Sequence, residues 1–115
     1  MKKLIEKYWE DMFDAILTQD KMKIEQNFAK DAVYKCRIAN GIMDATYEEM
    51  AASCLEYKDI LDGKYSIDRI DELADGSWHS VINASVNKKP YFTTSYFKFK
   101  NDKIVELVEY YGDFE

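Results

Sequence analysis

Histidine is almost missing from this chain of 115 residues, where His79 stands alone, and arginine occurs only as Arg37 and Arg69. The two cysteines, Cys36 and Cys54, are far apart and lack a CxxC pattern or a pair of histidines, so no metal site is expected. Four glycines without a Gly-rich phosphate loop disfavour nucleotides, and no cofactor is expected. No apolar run approaches the roughly 18 residues that a membrane span needs. No export-type apolar segment follows Lys2 and Lys3, so the expectation is a cytoplasmic protein with reduced thiols and no membrane partner. A net charge of −6 and a pI near 4.8 argue against nucleic acid.

Aromatic residues are what the chain has in quantity: nine Tyr, six Phe and two Trp. The length suits one domain over residues 1–115, with a core that needs no staples. Residues 2–18 place Leu4, Ile5, Tyr8, Trp9, Met12, Phe13, Ile16 and Leu17 at spacings of three and four, which predicts a helix with one broad apolar stripe. Asp20 fits as the cap of a shorter helix carrying Ile24 and Phe28. From Ala32 to Ile38 the period changes to two, which predicts a half-buried strand with Tyr34 and Cys36 on one face. Asn40-Gly41 marks a turn. Thr46-Tyr47-Glu48-Glu49 reads as a capping box for a helix running to about Leu61, with Met50, Cys54 and Tyr57 inward and Gly63 ending it.

Four further strands follow: Tyr65–Ala74, Trp78–Val86, Tyr91–Lys100 and Lys103–Tyr111, joined by turns at Asp75-Gly76, Asn87 to Pro90 and Asn101-Asp102. The expected class is α+β, with three N-terminal helices packed on a curved antiparallel sheet. In Tyr91–Lys100 the lysines mark the outer phase, so Thr93 and Ser95 face inward with Phe97 and Phe99. Small hydroxyls among rings suggest a cavity, although they also suit plain satisfaction of backbone carbonyls. In the last strand Glu106 and Glu109, three apart, break the alternation. One extra loop residue after Asn101-Asp102 would pair Glu106 with Lys98 and turn Val105 and Leu107 inward, with a later bulge re-aiming Tyr110 and Tyr111. The outer phase exposes Phe92, Thr94 and Tyr96, joined by Val81, which predicts a homodimer through the sheet.

The segment Asn27-Phe28-Ala29-Lys30-Asp31-Ala32-Val33-Tyr34, the run Phe97-Lys98-Phe99-Lys100-Asn101-Asp102-Lys103-Ile104-Val105 and the closing Glu109-Tyr110-Tyr111-Gly112-Asp113 resemble the nuclear transport factor 2-like superfamily in its SnoaL-like branch. The resemblance spans the chain. It implies a cystatin-like cone, in which the sheet wraps the first helix around an apolar pocket, and sheet-mediated dimers. Family members include polyketide cyclases, ketosteroid isomerases, dehydratases and non-catalytic binders, so fold leaves function open. Where ketosteroid isomerases carry a Tyr, a base and a second carboxyl, the matching positions hold Met12, Cys36 and Ser95. That catalytic set is missing.

Four residues remain as catalytic candidates. Tyr34 and Tyr57 face the expected pocket, His79 lies next to Trp78 and so faces out if Trp78 faces in, and Asp113 matches the family's terminal Asp. Cys36 would need a nearby positive charge to become reactive, and Lys35 and Arg37 point the other way. The expected pocket draws Met12, Phe13 and Ile16 from the first helix, Tyr34 and Cys36 from the first strand, and Met50, Cys54 and Tyr57 from the third helix. Trp78, Thr93, Ser95 and Tyr111 of the sheet complete it. Apolar walls with a few hydroxyls suit a small, mostly apolar ligand. Two alternatives stand beside this: a lyase, isomerase or cyclase using Tyr or Asp as acid–base group, and a dimeric interaction module with a filled core.

Overall fold

Three- and four-residue apolar spacing folds Lys2–Thr18 into helix α1, which Gln19 closes in the left-handed conformation at φ 59°. The computed structural model describes the backbone of residues 1–38, 41–43 and 45–113, and the side chains of residues 1–37 and 45–111. The turn expected at Asn40-Gly41 includes Asn40, which lies outside the described residues. Helix α1 buries Ile5, Tyr8, Trp9, Met12, Ala15 and Ile16 in one core with Ile82, Phe97 and Leu107 of the sheet. A single turn, α2 (Met22–Glu25), adds the fully buried Ile24. Strand β1 (Phe28–Ile38) begins earlier than the period of two indicated, because a register irregularity between Phe28 and Val33 hides its first residues from the alternation.

The capping box at Thr46 forms as expected: the Glu49 N–H donates to Thr46 Oγ1, and the Thr46 N–H donates to Glu49 Oε1, each at 3.1 Å. Helix α3 (Tyr47–Cys54) is shorter than its pattern suggested and tightens into a 3₁₀ turn over Leu55–Asp59. Leu61 leaves the helix and bridges to Val86 of the sheet.

Strands β2 (Gly41–Met43), β3 (Ser66–Glu72), β4 (Trp78–Val86), β5 (Lys89–Lys100) and β6 (Lys103–Asp113) complete a six-stranded sheet in the order β2-β1-β6-β5-β4-β3. The sheet is mixed, not antiparallel throughout, since β1 and β6 run parallel. The reason is topological: everything from β2 to β5 forms the crossover that brings β6 back beside β1 in the same direction.

The final hairpin corrects a second expectation. Asn101 and Asp102 form a two-residue turn with φ of 52° and 62°, and Lys100 faces Lys103, so the loop holds no extra residue. The extra residue is Val105 within β6, because Phe99 pairs with Ile104 while Lys98 pairs with Glu106. Ile104 takes the buried place expected of Val105. No later shift occurs, and from Glu106 onward the strand alternates regularly to Tyr111.

Candidate functional site

That early bulge sets the phase of β6, turning Leu107, Glu109 and Tyr111 to the helix-covered face. Glu109 then stands mid-sheet, opposite Cys36 of β1 on one side and Ser95 of β5 on the other, beneath Tyr8 of α1. It is fully buried, with no exposed surface. Four hydroxyls converge on its carboxyl group. Tyr34 and Tyr111 donate to Oε1 at 3.0 and 2.8 Å, Tyr8 approaches the same oxygen at 3.5 Å, and Ser95 donates to Oε2 at 2.8 Å. Among the described residues no ion pair includes Glu109. Burial away from water pushes its pKa up, and the four hydroxyls offset only part of that effect. Burial also raises Tyr8, Tyr34 and Tyr111, so their hydroxyls keep their protons and act as donors.

Beside this cluster lies a cavity of about 170 Å³. Its walls come from α1 (Trp9, Met12, Phe13, Ile16), β1 (Tyr34, Cys36), α3 and the 3₁₀ turn (Met50, Ser53, Cys54, Tyr57), and the sheet (Ile82, Ala84, Val86, Tyr91, Thr93, Tyr111), with Ala45 and Leu61. Glu109 does not line it, and is reached through the hydroxyls of Tyr34 and Tyr111, which lie 3.4 Å apart. Tyr57, Tyr91 and Tyr111 follow one another along one wall at ring separations of 6.3 and 6.0 Å.

Of the residues assigned to the pocket from sequence, Met12, Phe13, Ile16, Tyr34, Cys36, Met50, Cys54, Tyr57, Thr93 and Tyr111 stand around the cavity. Trp78 does not, because opposite Phe97 it packs on the core beyond the cavity. Ser95 does not either, because its hydroxyl is turned to Glu109. The catalytic candidates scatter. Tyr34 and Tyr57 line the cavity, while His79 lies on the opposite sheet face, its ring 4.8 Å from that of Tyr96 and its Nδ1 3.8 Å from Asp71. The side chain of Asp113 lies outside the described residues. Burial raises the pKa of Cys36, and pushes that of Cys54 up to about 12, so both thiols stay protonated at neutral pH.

No protein-family model matches the chain, and no curated protein matches it. Solved structures do. A protein of unknown function from Burkholderia xenovorans LB400, described as NTF-2 like, superposes with a TM-score of 0.67 at 20% identity over 99% of this chain and 88% of its own. The chain has the NTF2-like fold. A protein of unknown function with a cystatin-like fold from Methylobium petroleophilum PM1 gives a TM-score of 0.69 at 16% identity, covering 100% of this chain and 80% of the other. A third, from Rhodopseudomonas palustris and provisionally named an isomerase, gives 0.70 at 11% identity over 94% and 88%. At such identities the likeness carries the NTF2-like architecture and leaves the chemistry to the residues.

Glu109 is the buried polar residue of this site that sequence reasoning passed over. From sequence, Glu109 only breaks the alternation with Glu106 and takes no place in the expected pocket. The signal was present, since Glu106 opposite Lys98 fixes an outer position and steps of two from it leave Glu109 inside with Leu107 and Tyr111. Trp9 was also missed as a wall residue, although it sits in the α1 stripe; its indole N–H donates to Ser80 Oγ at 3.1 Å.

Proposed function

We propose that this protein binds a small, mostly apolar molecule in the cavity and anchors its polar group at the Tyr34 and Tyr111 hydroxyls. The observation that carries the reading is a cavity with largely apolar walls in which two phenols back onto one buried carboxyl group. About 150 Å³ of apolar cavity already accommodates a benzene-sized molecule, and this one measures about 170 Å³. Native mass spectrometry of protein purified from cells tests the reading. A retained adduct is expected that disappears in Ala84→Trp, which fills the space. A bare mass, together with no binding of ring-sized probes, overturns it.

A second reading is an acid–base enzyme of lyase, isomerase or cyclase type, favoured by the raised pKa of Glu109 and its contact with the cavity-lining Tyr34. It predicts deuterium uptake from heavy water into a bound carbonyl compound, lost in Tyr34→Phe.

We also propose a homodimer formed through the outer sheet face of Val81, Phe92, Thr94 and Tyr96. Support comes from the exposure of Tyr96 and Tyr110, 38% and 43%, and from Arg37 lying 5.9 Å above the Tyr110 ring. Light scattering at micromolar concentration should give twice the chain mass. A cytoplasmic setting is proposed on the free thiols of Cys36 and Cys54; among the described residues no helix is long and apolar enough to cross a membrane.

A further inference from the structure

The polar end of the cavity has a definite hydrogen-bond sense, fixed by where the protons go. A phenol carries one proton, and those of Tyr34 and Tyr111 are both directed at Glu109 Oε1. Their oxygens are left with lone pairs, so this end of the cavity accepts hydrogen bonds and has none to give. The Trp9 N–H, another donor on the wall, is taken by Ser80.

Charge points the same way. The groups facing Glu109 are Tyr8 from α1, Tyr34 and Cys36 from β1, Cys54 from α3, Ser95 from β5 and Tyr111 from β6, and none of them is basic. An acidic group thus sits one hydroxyl away from the cavity with no cation of the described residues beside it. The walls add six rings, Trp9, Phe13, Tyr34, Tyr57, Tyr91 and Tyr111, whose negative faces attract a cation and do nothing for an anion. Besides the Tyr34–Tyr111 pair, Thr93, Ser53, Tyr57 and Tyr91 also line the space, and their hydroxyls serve either sense.

We propose that the cavity is selective for a protonated amine on a small apolar body, with the ammonium seated on the Tyr34 and Tyr111 oxygens and the body against Met12, Ile16 and Ile82. Ammonium supplies what this end lacks, namely donors and positive charge. The proposal rests on the reading of the cavity as a ligand site and deepens it by naming the ligand class.

Benzylamine, benzyl alcohol and benzoate share one ring and differ in the polar group, so they separate the two ideas. Titration of the full chain with each, followed by amide shifts of the cavity residues in ¹H–¹⁵N spectra, should place benzylamine about tenfold tighter than benzyl alcohol, with benzoate weakest. Glu109→Gln keeps the shape and replaces the acid with an amide that cannot ionise, and should bring benzylamine to within about twofold of benzyl alcohol. Tyr111→Phe keeps the ring, and should weaken benzylamine several-fold more than benzyl alcohol; it carries the comparison if Glu109→Gln does not fold. Benzyl alcohol or benzoate binding as tightly as benzylamine overturns the amine proposal and leaves the ligand site standing. No shift with any of the three overturns the ligand site and the amine proposal together.

Discussion

Glu106 and Glu109 lie three residues apart on β6, and therefore on opposite faces of the sheet. Glu106 faces Lys98 across the β5–β6 ladder, 3.6 Å from its ammonium, with both side chains partly in water. Glu109 is sealed among four hydroxyls with no cation of the described residues paired to it. The same side chain on the same strand is thus an ordinary surface charge in one place and a chemically tuned group in the other. What differs is solvent: water screens the outer carboxylate, whereas the inner one depends on donors the fold must supply.

The comparison breaks most visibly by deletion. Glu109→Ala leaves the hydroxyls of Tyr8, Tyr34, Tyr111 and Ser95 without their shared acceptor and opens a void, and should cost about 3 kcal/mol or more in denaturant unfolding. Glu106→Ala should cost less than about 1 kcal/mol. Equal losses at the two positions would mean that Glu109 is not held as its geometry indicates.

A pH series sharpens the difference without removing atoms. A carboxyl whose pKa is raised by folding binds more protons folded than unfolded. Its stabilising share is therefore complete below the usual glutamate range, about 4.3, and is lost as pH climbs from there to the folded value. Across that window the slope approaches about 1.4 kcal/mol per pH unit. Glu109→Gln should flatten this part of the profile, its amide oxygen accepting from the tyrosines and its NH₂ donating to Ser95. Stability of wild type and Glu109→Gln that stays parallel from pH 4 to 8 would contradict the raised pKa.

How much of this was legible in sequence depends on whether neighbouring signals agreed. In α1 the apolar stripe from Leu4 to Leu17 repeats one face, and the structure buries its Ile5, Tyr8, Trp9, Met12 and Ile16 while leaving Leu17 at its end exposed. Thr46 and Glu49 encode their cap in four residues, and it formed. The parallel β1–β6 pairing carries no local mark, because it depends on where the long crossover of residues 39–102 returns. The bulge at Val105 was harder still, since Ile104 and Val105 are both apolar and either can take the inner place. The Glu106–Lys98 pair resolves the phase, and with it the burial of Glu109. The cavity residues were readable one by one from their phases; the open space between them was not, because it depends on how far α1 and α3 stand from the sheet.

The smallest expected effect concerns the outer pair. With side chains partly exposed and 3.6 Å between Lys98 Nζ and Glu106 Oε2, their attraction is screened by water and salt. A double-mutant cycle of Lys98→Ala and Glu106→Ala should give a coupling of about 0.2–1 kcal/mol that fades as ionic strength rises. The corresponding cycle on the inner face, Ser95→Ala with Glu109→Gln, joins two fully buried groups 2.8 Å apart. Its coupling should be larger, and salt should leave it unchanged, because ions do not reach a site without water. Salt sensitivity on the inner face, or its absence on the outer one, would erase the distinction between the two glutamates.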